Sequence, residues 1–133
     1  MNLEAPISTI MTTDVECITP SQKLIDLKHI YERPSFHSHV PVTENNKIVG
    51  IVSLINFMHA IHDASLDDTE EVYHELIVKD IMTFKPEYVS PDATIREVAE
   101  ILAKGQFHSV PVVLDGEVKG IITTTDLLQE ILK

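Results

Sequence analysis

"KIVGIVSLINFM", residues 47–58, and "EVKGIITTTDLL", residues 117–128, are two versions of one pattern. Each runs from a charged residue into an apolar strand interrupted by a glycine, Gly50 or Gly120. Each then reaches a small polar side chain and continues into an apolar helix. The offset between them is 70 residues. Working outward, "SHVPV" at Ser38–Val42 matches "HSVPV" at His108–Val112 with the same offset. Further upstream the offset becomes 71: "ITP" at Ile18–Pro20 matches "VSP" at Val89–Pro91, and "IMT" at Ile10–Thr12 matches "IMT" at Ile81–Thr83. One residue of drift means one small indel, expected in the first helix or the loop after it, where indels are tolerated. The chain is therefore two copies of one unit, and self-similarity of this kind decides the architecture before any single element does.

The second copy shows what the unit is. "EYVS" reads as a short strand. "SPDATIREVAEILAKG" reads as a helix with Ile95, Val98, Ala99 and Leu102 on one face, and Gly105 supplies a left-handed residue just past its end. "QFHSVPVVL" and "EVKGII" flank the turn Leu114–Glu117 and form a hairpin. "TTTDLLQEILK" is a second helix. The first copy follows suit: "ECIT", "SQKLIDLKHIYER", "HSHVPVT", a turn at "ENN", "KIVGIVS" and a helix from Leu54 to about His62. The hairpin strands are near-continuous apolar runs, so burial on both faces is expected. The fold class is α/β (α+β): two tandem β-α-β-β-α repeats, residues 1–62 and 77–133, joined by an acidic linker, residues 63–76. A three-stranded sheet with two helices cannot hide both faces alone, which is the physical reason for a tandem pair. Packing of the two repeats with pseudo-two-fold symmetry is the expected arrangement.

Composition narrows the function. Of 133 residues 44% are hydrophobic but only 5% aromatic, which predicts an aliphatic core. A formal net charge of −11 argues against nucleic acid and anionic membranes as partners, because phosphate contacts need a concentrated positive face. No apolar run approaches the roughly 20 residues of a membrane span. The N-terminus lacks the basic cluster of a secretory signal, so a cytoplasmic protein is the expectation. The one cysteine, Cys17, permits neither an internal disulfide nor a cysteine metal cluster. No nucleophile elbow, zinc-protease helix or phosphate loop is present, so the chain reads as no enzyme. The acids of "DASLDDTEEVYHE" read as a solvated linker and helix face.

The order and duplication of these motifs, "IMT…TP…VPV…G-apolar-apolar-[ST]-x-x-[DN]", closely resemble a tandem pair of CBS domains, the modules named for cystathionine β-synthase. The resemblance covers about Ile7 to Leu132. It implies a non-enzymatic regulatory module that senses adenosyl ligands (AMP, ADP, ATP or S-adenosylmethionine) in clefts between the repeats. It also implies frequent homodimerisation and no required cofactor. An alternative reading is a ligand-free protein-interaction and dimerisation module acting on an effector protein.

The polar corner "TTTD" carries two compatible readings. Thr123 and Asp126 have the spacing of a capping box. The same helix start, with the Thr123 and Thr125 hydroxyls and the Asp126 carboxylate, suits a ribose with a phosphate nearby. The first copy offers Ser53, Ile55 and Asn56 instead, a weaker set because Asn lacks the charge-assisted acceptor. By the resemblance, each cleft is completed by the other repeat. The stronger one joins Thr123, Thr125 and Asp126 to Thr19, His37 and Ser38, with His39 near any phosphate. The weaker one joins Ser53 and Asn56 to Ser90, Phe107 and His108, with Ser109 near the phosphate. His37 and His39 point to one side of a strand, but without a third ligand they read as cleft-edge groups, not metal ligands. His29, His59, His62 and His74 read as surface residues.

Overall fold

A computed structural model describes residues 1–34 and 36–133 of the chain. It divides into two compact units, Met1–Val15 with Glu87–Lys133, and Glu16–Pro86. Each unit takes its short lead-in from the stretch that precedes the other copy in the sequence.

In the Glu16–Pro86 unit, helix α1 (Leu24–Tyr31) leads to strands β1 (His39–Glu44) and β2 (Lys47–Ser53) and then to helix α2 (Leu54–Ile61). Two short helices follow, α3 (Val72–Glu75) and α4 (Val78–Ile81), and then a two-residue strand, β3 (Thr83–Phe84). β1 and β2 pair antiparallel through a turn in which Asn45 and Asn46 both have positive φ (52° and 65°), the type I′ geometry that matches strand twist. The "ECIT" strand shrinks to one parallel bridge, Ile18 to Val42, at the outer edge of β1. At the other edge β3 adds to β2, pairing Phe84 with Gly50 and Thr83 with Ile51. The expected three-stranded sheet thus gains a fourth edge from the "IMT" motif.

The Met1–Val15/Glu87–Lys133 unit repeats this plan with α5 (Ile95–Ala103), β4 (Ser109–Leu114), β5 (Glu117–Thr123) and α6 (Thr124–Ile131). Val89 bridges Val112, and Thr12 bridges Ile121. Asp115 and Gly116 make the turn with φ of 53° and 82°. Gly105, at φ 76°, ends α5 as the left-handed residue the sequence called for. The extra residue of the first copy falls after Leu24 and before His39, because residues 32–38 connect α1 to β1 where 104–108 connect α5 to β4. Both hairpins bulge at the same place, after Val42 and after Val112, leaving Val49 and Lys119 outside the ladder.

The strand glycines and the "IMT" motif explain one another. A methyl group on Gly120 would stand 2.6 Å from Met11 Sδ and 2.8 Å from the Thr12 carbonyl oxygen. On Gly50 it would stand 2.8 Å from both Met82 Sδ and the Thr83 carbonyl oxygen. The lead-in crosses the sheet edge so closely that only glycine fits beneath it.

The core of the unit holding β4 and β5 is wholly aliphatic, built on Ile7, Ile95, Val98, Leu102, Val110, Val112, Ile122 and Leu127. The other core departs from the aliphatic expectation: Phe57 and Tyr73 are buried in it. Their rings stack at 6.2 Å, and Tyr31 meets Phe57 edge-on at 5.5 Å. Burial on both faces holds for β4, whereas β2 is only partly buried.

The acidic stretch is held down. Lys28, 3% exposed, donates to Asp68 Oδ1 at 2.6 Å and to Glu32 Oε2 at 2.8 Å. His29 Nε2 lies 2.9 Å from Asp68 Oδ2. The Tyr73 hydroxyl donates to the Ser65 carbonyl at 2.6 Å. Asp67 caps the following turn, accepting from the Thr69 amide and hydroxyl at 2.8 and 2.6 Å. The Lys28 ammonium and the His29 ring hold the Asp68 carboxyl below the usual carboxylate range, and the two carboxylates raise Lys28 above its ordinary value.

Candidate functional site

Two corners, one per unit, carry the polar residues singled out by the sequence. At the end of β5, Thr123 has extended backbone angles (φ −113°, ψ 162°) and caps α6. Its Oγ1 accepts from the Asp126 amide at 3.0 Å, and Asp126 Oδ2 accepts from the Thr123 amide at 2.9 Å. The capping box is complete. It engages one oxygen of Asp126; the other, Oδ1, takes no hydrogen bond within the described residues. Thr125 is exposed, and Thr123 and Asp126 are half-buried.

The corner at the end of β2 closes differently. Ser53 Oγ accepts from the Asn56 amide at 3.0 Å, but its own hydroxyl donates to Asn56 Oδ1. The amide side chain is turned onto its cap and does not reach the Ser53 backbone. The two corners therefore differ in what they leave open: a carboxylate oxygen in one, and a carbonyl oxygen already taken in the other.

In each unit the residues before the Pro-Val pair are pinned beside the corner. The Leu54 amide donates to the Ser38 carbonyl at 2.7 Å, and the Thr124 amide donates to the His108 carbonyl at 3.0 Å. His39 stands opposite Ser53 in the ladder, and Ser109 opposite Thr123. The Tyr31 hydroxyl, whose acidity burial suppresses, donates to the Ser38 carbonyl at 3.3 Å and the Val52 carbonyl at 3.4 Å. His39 Nδ1 lies 3.2 Å from Ser38 Oγ. The fold thus brings together Ser38, His39, Ser53 and Asn56 in one unit, and His108, Ser109, Thr123 and Asp126 in the other. His37 and Phe107 adjoin these groups in sequence and are half-buried.

Within their own units, Thr19 and Ser90 stand apart from the corner. Their neighbours Ile18 and Val89 pair with Val42 and Val112, three residues along from His39 and Ser109, roughly 10 Å of strand. Each serves a local turn: the Thr19 amide and hydroxyl donate to Gln22 Oε1 at 2.9 and 3.2 Å, and Ser90 Oγ accepts from the Asp92 amide at 3.1 Å.

Two side-chain hydroxyls are buried without a hydrogen-bond partner among the described residues, Ser109 Oγ and Thr124 Oγ1. Both flank the Asp126 corner, and a buried unpaired hydroxyl calls for an explanation such as a water or a ligand. The sequence places Thr124 inside the polar corner "TTTD" but assigns it no site role. Cys17 is half-buried, and desolvation raises its thiol pKa, which opposes nucleophilic use. Among the described residues, three ligand-type side chains converge at His29, Glu32 and Asp68, but the Lys28 ammonium stands where a cation would sit. No described helix is long and apolar enough to cross a membrane.

A strand–helix–hairpin–helix unit repeated in tandem, each copy ending in a hydroxyl-capped helix, defines a paired α/β module. The chain belongs to the CBS domain family, whose model matches residues 7–63 and again 78–133. Among solved structures it is similar to AcuB from Vibrio cholerae, at 27% identity and a TM-score of 0.81 over 98% of this chain and 92% of that one. It is likewise similar to CBSX2 solved in complex with AMP, at 25% identity and a TM-score of 0.79 over 96% of this chain and 97% of that one. Among curated proteins it is 34% identical over 77 residues to the zinc metalloprotease MJ0392 of Methanocaldococcus jannaschii, covering 58% of this chain. The chain spans less than half the length of the first curated relatives it matches, 23%, 44% and 22%.

Proposed function

We propose that this CBS pair is a non-enzymatic regulatory module that senses an adenosyl ligand, AMP, ADP, ATP or S-adenosylmethionine, in the cytoplasm. The observation that carries the reading is the Asp126 corner. It combines a helix start, a carboxylate oxygen able to accept from a ribose diol, and two buried hydroxyls with no partner among the described residues. Thr123 and Thr125 complete that set within the same unit. The Asn56 corner, with Ser53, is the weaker site because its amide oxygen is already engaged. The AMP complex of CBSX2 supports adenine nucleotides as the class. A ligand of this kind regulates only through different affinity for two arrangements of the protein. No cofactor is required in this reading. A thermal-shift series with AMP, ADP, ATP and S-adenosylmethionine tests it. A rise in melting temperature with at least one supports the reading, and none with any of the four refutes it.

A second reading, interaction without a ligand, rests on exposed apolar side chains. Ile55 and Met58 of α2 are 67% and 51% exposed, and Leu128 and Ile131 of α6 are 56% and 61% exposed. Such helix faces suit a homodimer or an effector protein. Light scattering distinguishes the outcomes: a dimer that Ile55→Glu or Leu128→Glu converts to monomer supports self-association, and a monomeric wild type excludes it.

A further inference from the structure

A cavity of about 420 Å³ lies within the Glu16–Pro86 unit, lined by none of that unit's corner residues, and its volume falls in the range of small-molecule sites. Its floor is apolar, formed by Pro20, Val49, Ile77 and Met82. Val49 is there because the bulge in β2 releases it from the ladder. Three polar side chains rim it, Ser21, Glu44 and Lys79, and none makes a hydrogen bond or ion pair within the described residues. Phe84 closes the rim, the residue 57% exposed and held there by the pairing of its backbone with Gly50.

The fold itself does not ask for this rim. In the other unit the floor positions Pro20 and Met82 recur as Pro91 and Met11, but Glu44, Lys79 and Phe84 become Leu114, Ser8 and Thr13. The equivalent place in the other unit therefore carries neither the aromatic ring nor this pair of charges. One carboxylate and one ammonium around an apolar floor complement a ligand of the opposite polarity: an ammonium for Glu44, a carboxylate for Lys79, and an apolar body for Met82, Val49 and Phe84.

We propose that this cavity binds a small zwitterion with an apolar side chain, the chemistry of a free apolar amino acid. It shares no residue with the nucleotide corners, so the chain carries two kinds of ligand site.

The test uses the full chain labelled at its four methionine methyls, Met1, Met11, Met58 and Met82, and L-leucine as probe. The expected result is a saturable shift of the Met82 methyl while Met11, its counterpart in the other unit, stays put. The half-ligands 4-methylpentanoate and 3-methylbutylamine each bind about tenfold more weakly, the loss of one charged hydrogen-bond partner. Lys79→Ala and Glu44→Ala each weaken L-leucine by a similar factor. Three outcomes overturn the proposal: no Met82 shift with L-leucine or L-phenylalanine up to about 10 mM, wild-type affinity in both variants, or AMP moving Met82 and displacing L-leucine, which assigns the cavity to the nucleotide. The nucleotide reading fails separately, by absence of any adenosyl-induced thermal shift.

Discussion

Replacing Gly120 by alanine tests the joint between lead-in and sheet. The added methyl would lie 2.6 Å from Met11 Sδ, 2.9 Å from Met11 Cγ and 2.8 Å from the Thr12 carbonyl oxygen. The methionine can swing away. The carbonyl cannot, because it accepts from the Ile121 amide at 2.9 Å while the Thr12 amide donates to the Ile121 carbonyl at 2.9 Å. Relief requires parting that bridge or shifting the strand, so the cost is that of overpacking, about 1–3 kcal/mol. At roughly 4 °C per kcal/mol for a domain of this size, the melting temperature falls by about 4–12 °C. Urea unfolding should show a lower midpoint with an unchanged slope. Adding Met11→Ala removes the sulfur contacts but not the carbonyl, so the double variant is less destabilised than the sum of the singles by about 0.5 kcal/mol or more. A Gly120→Ala protein that melts within about 1 °C of wild type would refute the close crossing of Met11 and Thr12 over β5.

Other outcomes follow from the caps, the latch and the corners. Thr94 caps α5 through Oγ1 to the Glu97 amide at 3.0 Å, whereas its counterpart Lys23, with nearly the same backbone angles, gives α1 no side-chain cap. Lys23→Thr should stabilise the fold by about 0.5–1 kcal/mol in urea titrations, and Thr94→Ala should cost about 1 kcal/mol. Asp68 has a lowered folded pKa, so its contribution is present above the unfolded carboxylate value and lost as pH falls through the folded one. Hydrogen exchange in residues 65–75 should therefore accelerate below about pH 4, and Asp68→Asn should give that acceleration at neutral pH. Asn56→Ala should change nucleotide affinity less than Asp126→Ala in calorimetric titrations, since Asn56 Oδ1 is already occupied by Ser53.

The sequence made the duplicated unit legible because turns, caps and apolar runs recur at a near-constant offset. The type I′ turns at Asn45–Asn46 and Asp115–Gly116 and the Gly105 stop are local chemistry, and local chemistry is readable. What escaped was long-range. The lead-in strand Thr83–Phe84 and the Thr12 bridge join segments that sequence order assigns to the other repeat, and nothing in a two-residue strand announces its partner. Gly50 and Gly120 were visible as anomalies, but their cause was Met82 and Met11, far away in the chain. The acids of the linker are exposed as read, Glu70 excepted, but the anchoring of Asp68 was not legible, because a buried lysine such as Lys28 is rarely inferred from an isolated charge on an amphipathic helix. At the candidate site, the Thr123–Asp126 spacing was legible as a box, while the contrast with the Ser53–Asn56 contact needed coordinates. The orphaned Thr124 hydroxyl could not be read from sequence, because satisfaction of a hydroxyl depends on its surroundings.

The central claim is that the Asp126 corner receives an adenosyl ligand, and calorimetric titration of AMP into wild-type and Asp126→Ala protein tests it most directly. The account predicts saturable binding to the wild type, weakened by about 1.5–3 kcal/mol in the variant, with the variant still folded and accompanied by a wild-type thermal gain of about 2.7 kcal/mol at a hundredfold excess over Kd. Equal AMP affinity in the two proteins, or no heat and no thermal shift with any adenosyl compound, would contradict it.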